Sequence, residues 1–208
     1  EFSVKAHIDQ SRYEEMYQRS LSDPDGFWAE QAEAFVDWFS PWDTVSHCNF
    51  HTGEIRWFDG ATLNATYNCI DRHLETRGEQ TAIIWEGDEP SDDKKLTFRE
   101  LHEAVCRFSN VLKGRGVGKG DRVSIYMPMI PEAAIAMLSC ARIGAVHSVV
   151  FGGFSPEALR DRILDSDCRV VITADEGPRG GKPVPLKANV EQALEGCPKV
   201  HTTIVARG

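Results

Sequence analysis

From residue 81 onward, short β-branched runs alternate with stretches of helical periodicity, and this alternation constrains the fold more than any other feature. Residues 81–86 (TAIIWE), 121–127 (DRVSIYM), 147–151 (HSVVF), 169–173 (RVVIT) and 201–205 (HTTIV) have the length and branched apolar content of strands. Between them, Leu101, Val105, Phe108, Val111 and Leu112 mark one helix, residues 131–143 a second, and Leu159, Ile163 and Leu164 a third. A fourth is expected over 186–194. Strands that alternate with helices build right-handed βαβ units. The pattern therefore predicts an α/β fold, a mainly parallel sheet flanked by helices, over residues 81–208.

Residues 1–80 lack that alternation and form an aromatic-rich, helical and loop segment expected to pack on the α/β body. A short helix is expected around Tyr13–Tyr17. Asp23, Pro24 and Asp25 open another, with Trp28, Ala32, Phe35, Val36 and Phe39 on one face and Pro41 as its stop. Residues 41–60 read as loop with one strand over Ile55–Phe58. His47, Cys48 and His51 fall in that loop, off any helix, and a metal site is not expected there. Leu63, Tyr67, Ile70 and Leu74 predict a helix ended by Gly78. Asn64, Asn68 and Asp71 beside them read as a hydrogen-bonded packing network.

Two loops stand out. Gly152-Gly153 closes the apolar run 147–151 and precedes a helix start formed by Ser155, Pro156 and Glu157. In open α/β sheets, ligands bind at the carboxyl ends of strands, where this loop lies. The second loop, 174–185, sets Arg179 and Lys182 in a Gly/Pro frame, with Lys187 nearby. Taken singly, each reads as an ordinary connection. Together they suit the phosphates of a nucleotide, because Arg offers a planar fork and Lys a point charge. By contrast, the alternating glycines at 114, 116, 118 and 120 follow a helix and precede a strand. That order is wrong for a dinucleotide fingerprint, and Lys119-Gly120 is wrong for a P-loop. Residues 97–100 carry the capping box T-x-x-E. No nucleophile elbow surrounds Ser155 or Ser166, and the residues single out no catalytic centre.

The net charge of −9 argues against nucleic acid and anionic membranes as partners. No apolar run is long enough to span a bilayer. The six cysteines are scattered without a CxxC pair and read as reduced thiols, so a cytoplasmic location is expected.

Four blocks carry a resemblance: WFDGATLNATYNCIDRH (57–73), LTFRELHEAVCRFSNVL (96–112), the long run from Gly116 to Ile163, and VVITADEGPRGGKPVPLK (170–187). They resemble the N-terminal part of the AMP-forming acetyl-CoA synthetases in the adenylate-forming superfamily. The resemblance implies a ligase that makes an acyl-adenylate from ATP and acetate with Mg²⁺, then transfers the acyl group to CoA. It implies a CoA nucleotide site at Phe151, Gly152, Gly153, Arg179, Gly180, Gly181 and Lys182, with Lys182 where the family usually has Arg. The family's Ser/Thr/Gly-rich ATP loop, aromatic–Thr–Glu motif, ribose-binding Asp and C-terminal lysine are absent from these 208 residues. The chain is thus expected to be an inactive N-terminal fragment that binds no cofactor tightly, packs against the rest of the enzyme and self-associates without it. A propionate ligase and a non-catalytic CoA or nucleotide-binding module are the alternative readings.

Overall fold

The computed structural model describes residues 6–89, 91–179 and 181–207. They fall into two compact units that divide between Leu63 and Asn64. Residues 64–80, grouped above with the N-terminal segment, pack within the second unit.

In the first unit, helix α1 (Gln10–Ser22) is capped by Asp9, which accepts from the Arg12 amide at 2.8 Å. Helix α2 (Pro24–Phe35) is capped by Asp23, and Arg19 pairs with Glu30 between the two helices. The helix stops at Phe35, not at Pro41, because Val36 is extended (φ −126°). The Trp38 indole then donates to the Ala32 carbonyl at 3.0 Å. The expected single apolar face is split: Phe27 and Ala32 are buried, while Trp28, Phe35 and Phe39 are exposed. The tryptophans Trp38 and Trp42 cluster instead with Phe58, at centroid distances of 5.1–5.3 Å. The strand expected at 55–58 is β2 (Glu54–Asp59), and its antiparallel partner is β1 (Thr44–Asn49), a stretch read as loop.

The second unit begins with three short pieces where one helix was expected: α3 (Ala65–Cys69), a 3₁₀ turn (Asp71–His73) and α4 (Leu74–Arg77). Ile70 leaves helical geometry at φ −127°, ψ −63°. The polar stripe is indeed a packing network. Asn64 Nδ2 donates to the Arg142 carbonyl at 3.0 Å, Thr66 Oγ1 to the Leu138 carbonyl at 2.6 Å, and Asp71 takes both Arg142 guanidinium nitrogens at 2.7 and 2.8 Å. The Asn64 contact occupies an orphan carbonyl at the end of helix α6 (Pro131–Arg142).

Strand β3 (Thr81–Glu86) does not join the parallel sheet. It forms an antiparallel hairpin with β4 (Asp93–Thr97), whose charged residues mark an exposed edge. Thr97 then caps α5 (Phe98–Gly114) in a complete capping box with Glu100.

Four of the later strands are β5 (Arg122–Met127), β6 (Val146–Phe151), β7 (Val170–Ala174) and β10 (Thr202–Ala206). They form one all-parallel sheet in the order β10-β7-β5-β6. Between β7 and β10 lie a small antiparallel hairpin, β8 (Gly177–Arg179) with β9 (Lys182–Val184), and helix α8 (Leu186–Leu194). Helix α7 (Pro156–Asp165) joins β6 to β7. On one face of the sheet, Tyr126, Val150 and Val171 pack with Leu159 and Ile163 of α7 and Leu186 and Val190 of α8. On the other, Val123, Ile125 and Ile172 pack with Leu112 of α5 and Ala136 and Cys140 of α6. Each fully buried Val, Leu or Ile side chain here contributes roughly 1.5–3 kcal/mol. The chain moves from β5 outward to β6, then back across to β7, which makes the carboxyl ends of β5 and its neighbours a topological switch point.

Candidate functional site

At that end of the sheet lies a cavity of about 450 Å³. Met127 and Pro128 from the end of β5, Phe151, Gly152 and Gly153 from the end of β6, and Gly177 of β8 line it. Val184 and Leu186 complete its wall, and among the described residues no titratable side chain faces it. Its surface is apolar side chain and exposed backbone, suited to a flat or aliphatic group rather than to proton transfer.

Local geometry explains why these segments meet. The Phe154 amide donates to the Phe151 carbonyl at 3.0 Å, which closes the turn around the glycine pair. The hydroxyl of fully buried Tyr126 donates to the Phe154 carbonyl at 2.7 Å, and Asn189 donates to that hydroxyl at 3.2 Å. The Phe154 ring meets Phe151 edge-on at 5.8 Å, and the Arg162 guanidinium lies 4.5 Å above it. Ser155 then caps α7 by accepting from the Ala158 amide at 3.3 Å. Its own amide and the Ser155 hydroxyl hold the Glu157 carboxyl below the usual range. On the opposite wall, a Cβ on Gly177 would come within 2.9 Å of Pro128 Cβ and 3.2 Å of Leu186 Cδ1. Only glycine lets β8 approach the end of β5 so closely.

The structure brings part of the expected site together. Phe151, Gly152 and Gly153 lie on the cavity wall, and so does the base of the β8–β9 hairpin. Gly181 and Lys182 are exposed at the hairpin tip and do not line the cavity. The register sets Arg179 opposite Lys182, and Gly181 beside Lys182 has φ +74°. The side chain of Arg179 and the whole of Gly180 lie outside the described residues. Lys187 is engaged with Glu191 one turn along α8.

Sequence reasoning missed Met127, Pro128, Val184 and Leu186. Their signal was position: Met127 and Val184 end strands, Pro128 follows one directly, and Leu186 begins a helix. A second hollow of about 390 Å³ shares Pro128, Met129 and Pro178 with the first. Glu86, Asp88, Glu89, Asp92 and Glu176 rim it. Those carboxylates repel an anion, so a phosphate would be favoured on the Lys182 side. Among the described residues, no group of three or more His, Cys, Asp or Glu is placed to hold a metal ion. His47 faces Glu54 at 3.4 Å across the β1–β2 hairpin.

Comparison with known proteins gives these observations a context. Residues 70–208 match the family described as AMP-binding enzyme, and residues 13–69 match the acetyl-coenzyme A synthetase N-terminus. The chain is 66% identical over 202 residues to an acetyl-coenzyme A synthetase of Halorhodospira halophila, covering 97% of this chain and 31% of that protein. It is 65% identical over 205 residues to acetyl-coenzyme A synthetase 2 of Pseudomonas putida, covering 99% and 32%. The chain thus spans about a third of the length of the curated relatives it matches. In three dimensions it resembles an acetoacetyl-CoA synthetase from Streptomyces lividans, with a TM-score of 0.86 at 28% identity over 98% of this chain and 32% of that one.

Proposed function

Because the chain belongs to the AMP-binding enzyme family, we propose that it serves an acetate–CoA ligase as the N-terminal part of its nucleotide-handling domain. In the overall reaction, a carboxylate oxygen of acetate attacks the α-phosphorus of ATP and pyrophosphate leaves. The CoA sulfur then attacks the acyl carbon and AMP leaves. Mg²⁺ would supply charge neutralisation on the ATP phosphates. Acetate as the carboxylate rests on relatives at 65–66% identity.

The contribution of this chain in that reading is to CoA. One observation carries it: the glycine turn 151–153 and the base of the β8–β9 hairpin share one apolar cavity at the carboxyl end of the sheet, and the hairpin tip carries Lys182. The apolar wall would take the adenosine or pantetheine part, and Lys182 with Arg179 the phosphates. The chain supplies no group to either bond-making step, so it is inactive by itself.

Calorimetric titration of the chain with CoA and with CoA lacking its 3′-phosphate tests this reading. CoA is expected to bind about tenfold tighter, as one charge-assisted hydrogen bond allows. Arg179→Ala and Lys182→Ala should erase the difference. Equal binding of both ligands by the folded chain would overturn the assignment of the phosphate to the hairpin tip. Pyrophosphate release from acetate, ATP and Mg²⁺ by this chain would overturn the inactivity.

A further inference from the structure

The cavity at the carboxyl end of the sheet has one wall from the 151–153 turn and another from Val184 and Leu186. The turn follows β6, whereas Leu186 opens α8. Resting on the CoA reading of this cavity, we infer that Tyr126 and Asn189 are positioning residues for CoA. Their shared hydrogen bonds fix the distance between the two walls, and with it the fit of the uncharged part of the ligand.

The tie runs through one hydroxyl. Tyr126 stands on β5, one residue before Met127, and its side chain is fully buried on the α7–α8 face of the sheet. Its hydroxyl donates to the Phe154 carbonyl at 2.7 Å and accepts from Asn189 Nδ2 at 3.2 Å. A phenol has one hydrogen to give, so with Phe154 as acceptor the Asn189 amide must be the donor. Asn189 lies three positions after Leu186 and therefore on the same face of α8. The start of that helix is held as well, because the Lys187 amide donates to the Asp175 carbonyl at 3.1 Å. On the other side, the Phe154 amide closes the turn on Phe151, and the Phe154 ring meets the Phe151 ring edge-on. A shift at the Phe154 carbonyl is thus passed to a residue on the cavity wall.

The spacing has little slack. A Cβ on Gly152 would lie 3.3 Å from the Met127 carbonyl oxygen and 3.4 Å from Leu186 Cδ2, so the turn already packs against the opposite wall. Without the hydroxyl, the Phe154 carbonyl and the Asn189 amide both lose that partner, and the turn holds the binding position for a smaller fraction of the time. Apparent affinity falls in proportion to that fraction. The loss is the same for ligands with and without the 3′-phosphate, because neither residue belongs to the β8–β9 hairpin that carries Lys182.

The test is calorimetric titration of the whole chain with CoA and with CoA lacking its 3′-phosphate, at a temperature where circular dichroism shows every variant folded. Tyr126→Phe should weaken both ligands about tenfold and leave the ratio between them unchanged. Asn189→Ala should weaken both roughly threefold, and the double variant should bind within about twofold of Tyr126→Phe, since both changes act through one hydroxyl. Thr97→Ala, which destabilises the same unit at the α5 cap, should alter neither affinity. Without ligand, Asn189→Ala should also quicken hydrogen exchange of the Phe154 amide, to which Asn189 is joined only through Tyr126. Unchanged affinities in folded Tyr126→Phe, or a loss confined to CoA, would overturn the inference and leave the CoA reading standing. A Phe154 exchange rate unmoved by Asn189→Ala would overturn the tie between the walls. A folded wild-type chain that binds neither ligand would overturn the CoA reading and the positioning role with it.

Discussion

Replacing Asp71 with asparagine should lower the stability of the 64–208 unit by about 2 kcal/mol at neutral pH. The wild-type carboxylate holds the Arg142 guanidinium at 2.7 and 2.8 Å, and the two side chains are only 17% and 26% exposed. Breaking a fully buried pair from one side costs about 3–5 kcal/mol, and an exposed pair is worth roughly 0–1 kcal/mol. This pair lies nearer the buried limit, but asparagine keeps one oxygen to accept from Arg142, which gives the intermediate figure. The double variant Asp71→Asn/Arg142→Met should lose less than the sum of the single losses, with a coupling of about 1–2 kcal/mol. The pH dependence follows from the sign of the shift. The folded-state value of Asp71 lies below its ordinary value of 3.8, so the stabilisation is complete above pH 3.8. It fades as the pH falls through the lowered folded value, and there the wild-type and asparagine curves should converge. Urea denaturation followed by circular dichroism at several pH values reads both effects. A loss under about 0.5 kcal/mol at neutral pH, or additive single variants, would refute the reasoning.

Thr97→Ala removes the side-chain half of the α5 capping box and should cost about 1 kcal/mol in the same urea assay. Tyr126→Phe deletes the hydroxyl that holds the Phe154 carbonyl and receives Asn189. It should cost about 1–3 kcal/mol and loosen the 151–154 turn, visible as faster amide exchange of Phe154. Gly177→Val drives a side chain against Pro128 and Leu186. It should abolish CoA binding by displacing the hairpin while leaving the helical circular dichroism signal intact. Strand β6 is a sheet edge, and its Val146 is 53% exposed. Sedimentation velocity should show concentration-dependent association of the wild-type chain, reduced in Val146→Lys.

Where apolar burial dictated the pattern, the sequence was readable. The residues of β5 and β7 are almost all buried, and their runs announce strands at once. Caps were equally plain: Thr97 with Glu100, and Ser155 before Pro156, do what their side chains are built to do. The errors fell where exposed backbone pairing or distant side-chain bonds decide the structure. Strand β4 is charged because it lies on an exposed hairpin, and so it reads as loop. The 64–77 segment breaks because Thr66 and Asp71 bond to α6, more than 70 positions away. Part of the candidate site was legible as glycines in strand-end loops. Its walls were not, because Met127, Val184 and Leu186 look like ordinary core residues until topology sets them around one hollow.

The strand order also has a consequence for biogenesis. Strand β5, at the interior of the sheet, is the first of the four to leave the ribosome. Strands β6 and β7 can dock on its two sides before β10 emerges, and β10 then pairs with the other side of β7. The register therefore grows outward from a template present from the start, and no finished pair must open to admit a late strand. A released chain that ends just before Thr202 should already protect the amides of β5 from exchange. If it does not, assembly waits for β10 and the outward order is wrong.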